Sequence, residues 1–158
     1  MRRSLGGPGA DAHPTESGRP LHPIAVGLTL VLLSLAAVHL YWATRGAGTT
    51  VGIPSHPDGT PIFRPGRVAT FGVAVGLGVA ALLVAGRAGL ADVGISPVVL
   101  HVGVWGVAVA FMLRTVGEFR YVGLFKRVRG TPFARWDTRL FTPLCAAIAT
   151  AAVVVACS

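Results

Sequence analysis

Four apolar segments, each close to twenty residues long, dominate the hydrophobic pattern of the chain. They run from Ile24 to about Thr44, from Val68 to about Gly86, from Pro97 to Val116 and from about Thr138 to Cys157. Crossing roughly 30 Å of hydrocarbon takes about 20 residues of helix, with every backbone polar group paired inside the helix. The pattern predicts an all-α membrane protein in which residues 23–158 form a bundle of four transmembrane helices.

The starts of the third and fourth helices are the most informative boundaries. Ser96 suits an N-cap and Pro97 suits the first helical position, so the third helix has a clear beginning. Thr142 and Pro143 offer the same signal in the fourth segment, but a helix that begins there is too short to span a bilayer comfortably. We therefore expect the fourth helix to begin near Thr138.

Composition and charge support a membrane protein and indicate its orientation. The chain is 53% hydrophobic and 13% charged, whereas soluble chains carry about 25% charged residues. Ten Lys and Arg residues lie on the side of the 45–67 and 117–137 loops, and four lie on the side of the two termini. Because Lys and Arg mark cytoplasmic loops, we expect a multi-pass protein of the cell membrane with both termini outside and both loops cytoplasmic.

The same distribution accounts for the net charge of +8 without nucleic acid as a partner. The bilayer and its anionic headgroups are the expected partners of these basic residues. The first 22 residues are rich in Gly, Pro and polar types and predict a disordered tail.

The stretch FMLRTVGEFRYVGLFKRVRG, residues 111–130, passes from apolar to strongly charged. Its apolar half is the inner end of the third helix. Beyond Glu118 the alternation of aromatic and basic residues predicts an amphipathic helix along the membrane surface, with Gly117 and Gly123 easing the bend. Lys126, with Arg127 and Arg129, is expected to anchor this segment in anionic headgroups.

Small residues recur at four-residue spacing in several helices: Gly72 with Gly76, Ala74 with Gly78, Gly106 with Ala110, and Ala147 with Ala151. Such spacing lets helix backbones approach closely in lipid. It predicts a compact bundle, with a homodimer face as a possible use of the same residues.

Arg114 and Glu118 lie one helical turn apart, which places them on one helix face. Charged groups at this depth are costly unless they are paired or face a polar cavity. Two interpretations stay open, a structural ion pair and a functional pair.

If all four segments span, the first and third run in the same direction. Distant polar residues then meet at one membrane face, where the fourth helix also begins, and they are the candidate ligand-binding residues: His39, Trp42, Arg114, Glu118, Arg120, Asp137 and Arg139. Singly, each has a structural explanation: an aromatic belt for Trp42, a helix cap for Asp137 and packing for His39. Together they predict a polar pocket under the loops. No motif for zinc, haem or nucleotide phosphates is present, so neither a metal nor a cofactor is predicted.

Three stretches resemble an uncharacterised bacterial membrane family, DUF3995: HLYW at 39–42, PDGTPIFRPGRVAT at 57–70 and the block from Phe111 to Cys145. The similarity extends over about 24–157. One departure is Thr44-Arg45-Gly46, where the family pattern resembles Leu-Gly-Gly, so any role of the first loop carries over less safely. The resemblance implies a small multi-pass protein and supplies no activity.

Three functions are compatible with these features. The first is binding of a small ligand, an anionic lipid or a partner protein at the polar cluster. The second is a small dimeric proton-coupled transporter that uses Glu118, although transport sites usually lie nearer the midplane. The third is a membrane enzyme that uses His39 with Glu118 or Asp137 as acid and base, for which no nucleophile or oxyanion donor is identifiable.

Overall fold

A computed structural model describes residues 21–46, 53–54, 56, 58, 60–62 and 66–158 of the chain. Its helices are α1 (Leu21–Arg45), α2 (Arg67–Arg87), α3 (Pro97–Val116), α4 (Pro132–Trp136) and α5 (Thr142–Ala156). A π-helical turn, Asp137–Phe141, joins α4 to α5, so that Pro132–Ala156 is one continuous fourth span. The described residues form no β-strand. The predicted all-α class with four long helices is confirmed.

All four spans are long and apolar enough to cross a bilayer, with 20 to 25 residues each. The outer surface of the bundle exposes large apolar side chains, among them Leu30, Val102 and Leu113. Water is a poor solvent for such a surface and lipid is a good one. The chain is therefore a multi-pass membrane protein. Of the predicted tail, residues 1–20 lie outside the described residues, and α1 already begins at Leu21.

The fourth span begins at Pro132, six residues before the predicted start near Thr138, which was wrong. Its true N-cap is Thr131, whose side-chain oxygen accepts a hydrogen bond from the backbone N–H of Ala134 at 3.1 Å. Pro143 lies inside the span, directly after the π turn. A proline lacks an N–H and crowds the carbonyl four residues back in a regular α-helix, so the wider π turn accommodates it.

The helices pack as two hairpins. α1 lies mainly against α2, and α3 lies mainly against α5, while α2 with α3 and α1 with α5 close the four into a bundle. Fully buried side chains such as Leu32, Val84, Val104 and Val155 form its core. The last turns of α1 and α3 and the first turns of α2 and the fourth span lie together, at what we call the basic end.

Several glycines of the small-residue pattern do not pack inside this bundle. A Cβ atom added at Gly72, Gly76 or Gly106 would meet nothing within 4 Å, so the expectation that these glycines close the bundle was wrong. Gly86 and Gly103 are the helix glycines that permit close approach, because a Cβ there would lie 2.5 Å from the Val93 side chain and 2.9 Å from the Leu83 side chain, respectively. The open side of Gly72 and Gly76 faces lipid or a second copy of the chain, and the homodimer stays a prediction.

Residues 117–131 connect α3 to the fourth span and are not helical. The predicted surface helix is wrong because the chain reverses there. Gly117 and Gly123 have φ of 80° and 89°, in the left-handed region that favours glycine. A Cβ at Gly123 would lie 2.5 Å from the Val116 carbonyl oxygen. The two chain segments on either side of this reversal are joined by a hydrogen bond from the Leu124 N–H to the Thr115 carbonyl oxygen, at 2.9 Å.

We expect Gly123→Ala to destabilise the fold by more than about 2 kcal/mol, because the alanine combines a left-handed φ with a backbone overlap. Gly130→Ala is the matched control in the same loop, since a Cβ there meets nothing within 4 Å. Thermal unfolding of the purified protein in detergent measures both. Equal melting temperatures for the two variants would contradict the close crossing at Gly123.

Candidate functional site

The centre of the site is Asp137, a fully buried carboxylate in the π turn. Its Oδ1 accepts a hydrogen bond from Arg114 Nη2 at 2.8 Å, and its Oδ2 accepts one from Lys126 Nζ at 2.9 Å. Both contacts are ion pairs. The three side chains, here called the Asp137 cluster, belong to the fourth span, to α3 and to the connecting loop. One carboxylate thus ties three separate segments together.

Two uncharged donors complete the surroundings of Asp137. The Gly123 N–H and the Thr142 hydroxyl donate to Oδ2 at 3.0 Å and 3.1 Å. Thr142 lies five residues after Asp137, which is one π-helical turn, so the π turn brings the two side chains to the same face. With four donors on its two oxygens, the carboxylate is buried without an unmet hydrogen-bonding requirement.

Lys126 lies inside the protein, with only 4% of its surface exposed. Its predicted role as a headgroup anchor was wrong, because the reversal at Gly117 and Gly123 turns it towards Asp137. The ammonium group also donates to the Gly123 carbonyl oxygen at 3.2 Å. A compact ammonium can serve two nearby acceptors where a planar guanidinium would not fit. The sequence did carry a signal, since Lys126 is the only lysine among fourteen basic residues.

Asp137 lies near the boundary of the hydrocarbon region. The fourth span has 25 residues and is about 38 Å long, so it exceeds a hydrocarbon layer of about 30 Å by about one and a half turns. Asp137 lies five residues inside its start, about 8 Å along the axis. The prediction that Asp137 caps the helix was wrong, because Thr131 is the cap. A carboxylate at this depth needs its cationic partners.

The Asp137 cluster holds more positive charge than negative. Two cations share one carboxylate, and Arg114 Nη1 is buried without a hydrogen-bond partner among the residues that the structure describes. About a third of the Arg114 side chain, 34%, is exposed. A buried donor without a partner costs about 1–3 kcal/mol, and more for a charged group. Arg114 therefore has unused capacity to bind an anion.

A cavity of about 660 Å³ lies beside Arg114 at the basic end, within the usual size of small-molecule sites. All four spans contribute to it, and we call it the central cavity. Its wall is mostly apolar, with His39, Arg114 and Cys145 as the polar side chains. The apolar and aromatic lining residues are Leu35, Val38, Trp42, Val73, Leu77, Ala110, Phe111, Phe133, Trp136, Leu140, Phe141 and Leu144.

Three of the predicted site residues, His39, Trp42 and Arg114, line this one cavity. The His39 and Trp42 rings meet edge to face, with centroids 5.4 Å apart. His39 Nδ1 lies 2.8 Å from the Leu35 carbonyl oxygen and must donate to it. In the neutral ring that bond leaves Nε2 as a hydrogen-bond acceptor.

Glu118 and Arg120 lie outside the central cavity. α3 ends at Val116, and Glu118 is exposed beyond it. The expected Arg114–Glu118 ion pair is not formed, because the helix stops before Glu118 and Asp137 is the partner of Arg114. Glu118 and Arg114 instead line a second cavity of about 640 Å³ under the described part of the first loop. Arg120 is exposed, and its guanidinium lies 5.2 Å from the centre of the Tyr121 ring.

Arg139, the remaining predicted residue, is exposed on the π turn. It lines a third cavity, of about 240 Å³, together with Pro132, Arg135 and Trp136. Trp136 also belongs to the wall of the central cavity. Trp136 therefore borders both a basic surface cavity and the mostly apolar central cavity.

Sequence reasoning missed Lys126, Thr142 and Trp136 as members of these sites. Thr142 had been interpreted as an alternative helix cap, and its partner lies one π turn away, a spacing that no α-helical pattern reveals. Trp136 carried no signal beyond its residue type. In the part of the chain that the structure describes, no three metal-binding side chains come together.

Comparison with known proteins places the chain in a family. The family model DUF3995, a protein of unknown function, matches residues 32–152. The chain belongs to the DUF3995 family. The resemblance noted in the sequence is thereby confirmed, and the matched region contains the whole Asp137 cluster and the central cavity. The comparison with curated proteins and that with solved structures found no match.

We expect Asp137→Asn to destabilise this DUF3995 protein by about 3–5 kcal/mol, because Arg114 and the buried Lys126 lose the counter-charge that both pair with. Asp92→Asn is the control, since Asp92 is exposed and accepts one backbone hydrogen bond, from Gly94. Adding Lys126→Met to Asp137→Asn should recover part of the loss. Thermal unfolding in detergent measures all three, and an unchanged melting temperature for Asp137→Asn would rule out the cluster as a structural centre.

Proposed function

We propose that the protein binds an anionic amphiphile, with the anionic group at Arg114 and the apolar part in the central cavity. The observation that carries the proposal is Arg114, which lines a large, mostly apolar cavity and whose buried Nη1 has no partner among the described residues. The family assignment adds no substrate, since the family itself is one of unknown function.

Charge balance supports an anion as the ligand. The Asp137 cluster carries one positive charge in excess, and an anion beside Arg114 would neutralise it at a depth where charge is poorly solvated. A carboxylate or a phosphate also supplies acceptors for the guanidinium donors that Asp137 does not use. A cationic ligand would neutralise neither the excess positive charge nor the unused guanidinium donors, and a neutral ligand would leave the excess charge.

The wall of the central cavity supports a long apolar portion on the ligand. Nearly all of the lining is apolar, and inside a bilayer an apolar ligand is held in such a space by close packing rather than by transfer out of water. Val38, Val73 and Leu140 line the cavity and are also exposed on the outside of the bundle. In a bilayer that outside is lipid, so the ligand can enter sideways from the membrane.

The other two functions receive less support from the geometry. Glu118 is exposed past the end of α3 and does not supply the membrane-embedded carboxylate of a proton-coupled transporter. The ring of His39 is bonded to a backbone carbonyl, and both oxygens of Asp137 are occupied by other donors. An acid and base pair of His39 with Asp137 is therefore not assembled in this arrangement.

We expect Arg114→Gln to weaken binding of 9,10-dibromostearate at least about tenfold, since hydrogen bonds to charged groups contribute about 1.5–3 kcal/mol. Quenching of tryptophan fluorescence measures the binding, because Trp42 lines the cavity. The fold should persist, because Lys126 still balances Asp137. The methyl ester of the same acid should bind both proteins equally.

Arg127→Gln is the matched control for that experiment, since Arg127 is exposed in the 117–131 loop and undergoes the same charge change. If Arg114→Gln and Arg127→Gln bind dibromostearate as the parent protein does, the proposal is wrong. Equal losses in both variants would point to a general surface potential and would count against it as well.

We further propose that the Arg114 end lies on the cytoplasmic side, which the Lys and Arg distribution supports. Cys157 is exposed at the other end of the bundle. We expect a membrane-impermeant maleimide to label Cys157 in intact cells and to label a Gly130→Cys, Cys157→Ser variant only after permeabilisation. The reverse pattern would invert the orientation.

A further inference from the structure

The surface cavity beside the π turn is lined by two arginines. Arg135 and Arg139 lie one turn apart and line the same cavity of about 240 Å³, together with Pro132 and Trp136. We propose that this cavity, here called the Arg135–Arg139 site, binds the phosphate of an anionic phospholipid. The site does not require the central cavity to be occupied.

The two arginines repel each other unless an anion joins them. Like charges one helical turn apart are unfavourable, and both side chains are exposed. The ion pairs among the described residues are those that Asp137 forms with Arg114 and Lys126, and neither includes Arg135 or Arg139. A phosphodiester between the two guanidinium groups can bind both, since planar guanidinium donors match phosphate oxygens in pairs.

The position of the site selects a lipid as the source of that phosphate. Arg135 lies in the first turn of the fourth span, about 5 Å from its start and at the level of the headgroups. Arg139 lies about 6 Å deeper, but helix side chains tilt towards the helix start and both arginines line the same cavity. Trp136 is 49% exposed and Leu140 is 45% exposed next to them. Tryptophan prefers this interface, and the acyl chains of a bound phospholipid can lie on the apolar surface below it.

Trp136 itself reports on the site. A Trp42→Phe, Trp105→Phe protein retains Trp136 as its single tryptophan. In vesicles, quenching by brominated phosphatidylglycerol and by brominated phosphatidylcholine gives the relative association of the two lipids next to Trp136. We expect the anionic lipid to be preferred about tenfold, from two arginines at the membrane surface.

In the same background, Arg135→Gln, Arg139→Gln should reduce the preference to about one. Arg45→Gln, Arg67→Gln is the matched control, because both residues are exposed at the same end of the bundle and line none of the three cavities. The control should keep most of the preference. If the double glutamine variant does not fold, Arg139→Gln alone should lower the preference for the anionic lipid from about tenfold to about threefold.

A preference near one in the parent protein, an unchanged preference in the Arg135 and Arg139 variants, or an equal loss in the control would each overturn the inference. Arg114→Gln should leave the phospholipid preference intact, and the Arg135 and Arg139 variants should leave dibromostearate binding intact. The two experiments therefore fail independently of each other.

Discussion

The structure depends on neutralising one carboxylate, that of Asp137, at a depth where water is scarce. A buried carboxylate without partners would cost several kcal/mol, a large share of the stability of a typical domain, so its donors must arrive together. Arg114 comes from the end of α3, Lys126 from the loop, and Thr142 from one π turn further along the same span. The path of the loop, the end of α3 and the shape of the fourth span all serve this requirement.

The same arrangement links stability to the proposed binding. Arg114 pairs with Asp137 on one side and borders the central cavity on the other. Because Lys126 already balances the carboxylate, the charge of Arg114 is in excess of what the fold requires. A group that is held firmly but is not fully used is well placed for recognition, since it needs little ordering when a ligand arrives.

Sequence patterns predicted the parts of the fold that depend on periodic hydrophobicity. The four spans follow from lengths of about twenty apolar residues, and α3 has the expected bounds because Ser96 and Pro97 mark its start. Patterns failed where a long-range contact overrides them. The surface helix after Glu118 was expected from alternation, but Lys126 instead turns inward to an aspartate eleven residues away. Arg114 and Asp137 were both identified as candidates, but the ion pair between them was not, because spacing along one helix reveals nothing about contacts with a neighbouring one.

The π turn has a consequence for how this chain can change. It holds one residue more per turn than the α-helix around it, which shifts the angular phase of everything after it by about 100°. The start of the turn, at Asp137, faces the 117–131 loop, and the residues of α5 after the turn face α3. Deleting a single residue between 137 and 141 would restore ordinary helical phase. Either the Asp137 carboxylate would then turn away from Arg114 and Lys126, or the apolar face of α5 would turn away from α3. The two halves of the fourth span can thus accept substitutions, but not a change in the number of residues that separates them.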